Sequence, residues 1–228
     1  MIEAAEERTR VTVPLPAGEV DVTAAWGGDA DEPDAPVVAI AHGAGAGMDH
    51  PFLVGFARGL QERGLRTVRF AFPYSEAGRR MPGPAAHAIL AWRAVVAAIR
   101  LRRPDAPVVA CGKSYGGRMA SMAAAEGLAV SSLVYLGYPL HPPGRPDSPR
   151  IAHLPSVRPP QLFVEGTKDP FVQPVGQFED AVAACRDARI VWIDGGGHSF
   201  EVAGRKRPAE EIGAGLAPLV GEFVAIVR

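Results

Sequence analysis

Gly112-Lys113-Ser114-Tyr115-Gly116-Gly117 is the stretch on which the fold of this chain turns. Before it stands Pro107-Val108-Val109-Ala110-Cys111, apolar, β-branched and too short for an independent helix, so it is a predicted strand. After it comes Arg118-Met119-Ala120-Ser121-Met122-Ala123-Ala124-Ala125-Glu126, rich in strong helix formers and closed by Gly127 as a C-cap. Strand, glycine-flanked serine and helix together make the setting of a G-x-S-x-G nucleophile elbow. The glycines have a steric reason. The serine is held in a strained turn that raises its hydroxyl, and a Cβ at either flank would strike the neighbouring strand or helix. Taken alone, the string also fits a plain Gly/Ser turn, so its weight depends on the rest of the chain.

The 228 residues suffice for one substantial core and are expected to form a single domain over 1–228. A hydrophobic content of 47% with 21% charged residues is ordinary for a soluble globular protein. A formal net charge of -1 argues against nucleic-acid binding. Cys111 and Cys185 fall in a predicted strand and a predicted helix and imply no disulfide framework. The segment Met1-Ile2-Glu3-Ala4-Ala5-Glu6-Glu7-Arg8 lacks the apolar centre of a signal peptide, and no run suffices to span a membrane. A cytoplasmic protein without membrane association is expected.

In chain order, Val11–Val13 and Val20–Trp26 read as a hairpin. Val37-Val38-Ala39-Ile40-Ala41 is a strand buried on both faces, ending in His42-Gly43-Ala44-Gly45-Ala46-Gly47. A helix is expected over 51–63, a strand over 65–72, a loop over 73–84 and a long helix over 85–103. The elbow follows, then a strand over 130–136. Residues 137–160 carry eight prolines and few apolar residues, which predicts an extended rim loop with Tyr138, Leu140 and His141 beside the site, not a helical lid. Strands over 161–164 and 189–193, with helices over 174–185 and 208–227, complete the chain. Strand–helix alternation after a hairpin gives an α/β fold, a mostly parallel sheet with helices on both faces and no substantial cap domain.

Ligands of such sheets bind beyond the carboxyl ends of the strands. Ser114, Asp169 and His198 each fall just past a predicted parallel strand, in that order. The arrangement resembles the α/β-hydrolase superfamily over essentially the whole chain. Gly-Lys-Ser-x-Gly-Gly-Arg with an early His-Gly-Ala-Gly is similar to a compact branch that includes dienelactone-hydrolase-like proteins, testis-expressed hydrolase-like proteins and a chromatin-complex subunit of the non-specific-lethal type. True dienelactone hydrolases use a cysteine where this chain has Ser114.

The resemblance implies Ser114 as nucleophile, His198 as the base that activates it, and Asp169 as the acid that orients the imidazole. Asp194 is the rival acid. The Tyr115 N–H is one expected oxyanion donor, and the second comes from Ala44, with Gly45 as the alternative. His42, Tyr74, Tyr138 and Leu140 are candidate substrate contacts, although His42 also suits a structural role in the oxyanion loop. No histidine pair has zinc-like spacing, and alternating Gly43, Gly45 and Gly47 do not make a dinucleotide fingerprint. No metal or organic cofactor is expected. The function expected is a serine hydrolase acting on an ester or thioester of a small or medium acyl substrate, as monomer or homodimer. The alternative is a hydrolase-like binding or scaffold protein with negligible turnover.

Overall fold

In the computed structural model, which describes residues 6–28, 32, 34–142 and 144–227, the chain opens on the expected hairpin. Strands β1 (Glu7–Leu15) and β2 (Gly18–Gly27) run antiparallel. There follow β3 (Val37–Ala41), α1 (Pro51–Gln61), β4 (Arg66–Phe70), α2 (Pro73–Glu76) and α3 (Ala85–Arg102). Next come β5 (Val108–Lys113), α4 (Tyr115–Ala125), β6 (Ser132–Leu136), β7 (Gln161–Gly166), α5 (Val175–Ala183), β8 (Ala188–Ile193) and α6 (Ala209–Ile226). Met1 to Ala5, on which part of the signal-peptide expectation rests, lie outside the described residues, as does Pro143.

One eight-stranded sheet runs in the order β1-β2-β4-β3-β5-β6-β7-β8. Neighbours from β4 onward are parallel, and only the N-terminal hairpin joins antiparallel. Side-chain alternation explains the layers. Val37, Ala39, Val108, Ala110, Leu133, Tyr135 and Phe163 face one side, where α3, α4 and α5 cover them. Val38, Ile40, Val109, Cys111, Val134, Leu136, Leu162 and Val164 face the other, under α1 and α6. Strands buried on both faces are mostly apolar, which is why Val37–Ala41 and the run from Val108 to Cys111 show no polar alternation.

The loop expected over 73–84 opens with the single turn of α2, where Pro73 presets the backbone dihedral of a first helical position. Helices α1 and α6 cross very closely. A Cβ on Gly55 would lie 2.1 Å from the Glu210 carbonyl oxygen, and one on Gly213 2.0 Å from that of Phe52. The contact brings the start of α6 beside the start of α1.

Residues 137–160 contain a 3-10 turn at Leu154–Ser156 and, among the described residues, no α-helix. The extended rim loop expected from few apolar residues is corrected by the structure to a segment packed on the sheet. Tyr138, Leu140, Leu154 and Val157 are all buried against the α4 side of the sheet.

Candidate active site

Ser114 joins β5 to α4 with backbone angles of φ 50° and ψ -114°. Positive φ costs a non-glycine residue about 1–3 kcal/mol, so the surroundings must enforce it. They do. A Cβ on Gly112 would lie 2.2 Å from the Gly117 nitrogen, and one on Gly116 2.7 Å from the carbonyl oxygens of both Ala41 and His42. Strand, turn and helix therefore pack backbone to backbone, and the serine side chain is pushed beyond the sheet edge.

His198 and Asp169 meet it there. His198 Nε2 stands 2.9 Å from Ser114 Oγ, and His198 Nδ1 stands 2.6 Å from Asp169 Oδ2. Asp169 is fully buried. It caps the 3-10 turn Pro170–Val172, its Oδ1 accepting the Phe171 N–H at 2.8 Å. That bond fixes the carboxylate and aims the second oxygen at the imidazole. The Phe171 ring backs the imidazole, with centroids 4.3 Å apart. Asp194, by contrast, is exposed and receives a long 3.5 Å contact from Thr167 Oγ1. Of the two acids, the structure brings Asp169 to the histidine.

The loop after β3 lies against Ser114, since a Cβ on Gly43 would be 3.6 Å from the serine Cβ. Within it the Gly45 N–H is occupied by the Arg80 carbonyl oxygen at 3.1 Å, whereas the Ala44 N–H meets no acceptor among the described residues. Tyr115 is the first residue of α4, where a helix leaves its N–H groups unpaired. Ala44 and Tyr115 thus keep free donors, and Gly45 does not.

His42 does not reach the cavity as a substrate contact. It is fully buried, its Nε2 accepting the Phe72 N–H at 3.1 Å and its Nδ1 lying 2.8 Å from the Gly43 carbonyl oxygen. Burial lowers its pKa, so the ring stays neutral, with Nδ1–H donating to Gly43. Tyr74 packs edge-on against it, and its hydroxyl makes a long 3.4 Å approach to the same Gly43 oxygen. Both side chains brace the loop that carries Ala44. Tyr138 and Leu140 are also displaced from the expected rim. Tyr138 directs its hydroxyl to Ser121 and His153, and Leu140 belongs to the core. The His141 ring nitrogens face the carbonyl oxygens of Pro142 and Gln173.

The cavity over Ser114 and His198 measures about 300 Å³. Its walls are Phe52 and Leu53 from α1, Ala209 and Ile212 from α6, and Lys113, His50 and Glu201 at polar points. Sequence reasoning missed these walls. Phe52 carried a signal, standing second in the helix after the His42 loop, but the α6 residues carried none, because the α1–α6 crossing joins segments far apart in the chain.

A model of the alpha/beta hydrolase domain family matches residues 34–216. Among solved structures, the dienelactone hydrolase of Anabaena variabilis is similar at 23% identity and a TM-score of 0.74, over 97% of this chain and 98% of that one. A serine hydrolase without lid from Xanthomonas campestris is similar at 24% identity and a TM-score of 0.68, over 98% and 97%. Est1E from Butyrivibrio proteoclasticus is similar at 16% identity and a TM-score of 0.70, over 96% and 98%. At such identities the likeness speaks for the fold.

Proposed function

Because the chain belongs to the alpha/beta hydrolase domain family, we propose that it is a serine hydrolase cleaving an ester or thioester of a small or medium acyl group through an acyl-serine intermediate. What carries the proposal is the continuous line from buried Asp169 through His198 to a strained Ser114 at the floor of a cavity. A serine hydroxyl is a weak nucleophile until a base takes its proton, and His198 Nε2 is within reach. As Ser114 Oγ attacks the carbonyl carbon, the proton passes to His198, and the Asp169 carboxylate stabilises the resulting imidazolium. The tetrahedral oxyanion is met by the N–H groups of Tyr115 and Ala44, each such donor being worth roughly 10²–10³ in rate. His198 then returns the proton to the departing alcohol or thiol. Water, deprotonated by the same imidazole, attacks the acyl-serine and releases the acid.

The cavity lies at the small end of the range for small-molecule sites, roughly 300–1,000 Å³. With no helical cap over it, it suits a short or medium acyl chain and gives no basis for interfacial activation. The test pairs a fluorophosphonate probe with p-nitrophenyl esters and thioesters from acetyl to palmitoyl. Wild type is expected to be labelled at Ser114, Ser114→Ala to be unlabelled, and kcat/KM to peak at short or medium chains. Absence of labelling in folded wild type would refute the nucleophile, and a peak at palmitoyl with a jump on substrate aggregation would refute the chain length.

A further inference from the structure

Beneath the serine and histidine lies a charged group that the acyl-serine steps leave idle. Lys113 ends β5 and is 9% exposed. Its Nζ donates a 2.8 Å hydrogen bond to the His198 carbonyl oxygen. It also stands 5.6 Å from the centroid of the Phe200 ring. Gly137, just past β6, completes the cradle. A Cβ there would lie 3.0 Å from Lys113 Nζ, 3.0 Å from the His198 oxygen and 3.4 Å from His198 Nδ1. The ammonium and the imidazole therefore lie within about 6 Å of each other. On the far side, Phe200 takes a positive φ of 65°, yet is buried and stacked on Phe52. The short segment carrying His198 is pinned at both ends.

The charges around Lys113 come from two places: Glu165 and Asp169 from β7 and its loop, and Glu201 from the loop after His198. Glu165 is fully buried, with Oε1 accepting the Tyr138 N–H and Oε2 without a partner among the described residues. Burial pushes its pKa well up. Glu201 is exposed and screened by water. The charged groups that hydrogen-bond His198 itself are the Lys113 ammonium, at its carbonyl, and the Asp169 carboxylate, at its ring.

We propose that Lys113 is a positioning residue for His198: it holds the histidine segment through the carbonyl and sets a positive charge against the Asp169 carboxylate beside the ring. The catalytic part of this inference rests on the acyl-serine function of Ser114. A lone carboxylate at 2.6 Å favours imidazolium, which cannot act as a base. An ammonium at about 6 Å opposes a second positive charge on the ring. Burial lowers the Lys113 pKa to about 8 against the pull of Asp169, Glu165 and Glu201, so the charge is present through neutral pH and fades above it.

The test is an NMR titration of the His198 ring, assigned by the signal lost in His198→Gln, run beside the pH dependence of fluorophosphonate labelling. In Lys113→Met the His198 midpoint is expected to rise by roughly one to two units, with the acid limb of labelling following it. Lys113→Arg, which keeps the charge, should titrate like wild type. Lys113→Gln keeps a donor for the carbonyl without the charge and should shift like Lys113→Met, which covers the case of a methionine variant that does not fold. A labelled wild type whose Met and Gln variants titrate unchanged overturns the role of Lys113, as does an Arg variant displaced as far as they are. A displaced midpoint in a protein that is never labelled supports the hold on His198 and sinks the acyl-serine function instead.

Discussion

Replacing Asp169 by Asn separates the role of this acid from mere shape. The carboxylate makes two directional contacts, Oδ1 from the Phe171 N–H at 2.8 Å and Oδ2 to His198 Nδ1 at 2.6 Å. An asparagine amide keeps the first bond only by placing its oxygen at the Oδ1 position, which turns its NH₂ toward the imidazole. Nδ1 must then be the acceptor and Nε2 must carry the proton, so the ring can no longer receive one from Ser114. Flipping the amide restores the tautomer but sets NH₂ against the Phe171 N–H in a fully buried site. Leaving such donors unpaired costs about 1–3 kcal/mol each. The lost stabilisation of the imidazolium adds to this, and together they predict a fall in kcat of roughly 10³–10⁴ with KM little changed. Asp194→Asn alters an exposed group with one long contact and should change kcat less than about threefold. Steady-state kinetics on the best p-nitrophenyl ester, with circular dichroism to verify folding, decides the matter. A folded Asp169→Asn that keeps more than a tenth of wild-type kcat, or an Asp194→Asn that loses more, refutes the assignment.

Two further outcomes follow from the packing. Gly116→Ala places a methyl 2.7 Å from two carbonyl oxygens and should cost at least about 1–3 kcal/mol, lowering Tm by several degrees and abolishing fluorophosphonate labelling; an unchanged Tm with normal labelling would disprove the backbone contact. His153 is held down to about 4 by burial and by Arg118, so the unfolded chain takes up its proton first as pH falls. Its contribution is therefore full above about 6.5 and is lost between there and 4, roughly 2–3 kcal/mol that urea titrations of wild type should lose and His153→Gln should not; equal pH slopes in the two proteins would count against it.

The catalytic candidates were legible because their signals are local. A strand that must be apolar on both faces, a turn that needs glycine at Gly112 and Gly116, and an Asp-Pro that caps a turn each leave a mark within a few residues. The rule that parallel strands present their carboxyl ends together then brought Ser114, Asp169 and His198 to one edge without any knowledge of distances. The choice between Ala44 and Gly45 was not legible, because it depends on whether a carbonyl thirty-five residues onward in the chain, at Arg80, occupies the competing N–H. Glu165 is similar. It follows directly on a predicted strand with no mark of its own, and only the fold shows it buried beside Lys113 and Asp169.

Residues 137–160 show where composition misleads. Prolines there do exclude a helix of useful length, but a sparse apolar content does not prevent burial when the surface beneath supplies the partners. Tyr138 packs on Tyr135 and Phe163, and Leu154 and Val157 enter the same core. His153 Nε2 lies 2.7 Å from Ser121 Oγ on α4, tying the segment to the elbow helix. A handful of anchors thus holds a segment whose regular structure among the described residues is the 3-10 turn Leu154–Ser156, at modest entropic cost because proline has already restricted the unfolded chain. The consequence reaches the site. A segment fastened to the α4 side leaves the opposite side of Ser114 to α1 and α6, and it is Leu53 and Ile212 that line the cavity, not Tyr138 and Leu140. The dimensions of the cavity over Ser114 are therefore set by how closely α1 and α6 approach, which Gly55 and Gly213 determine by leaving no side chain between the two backbones.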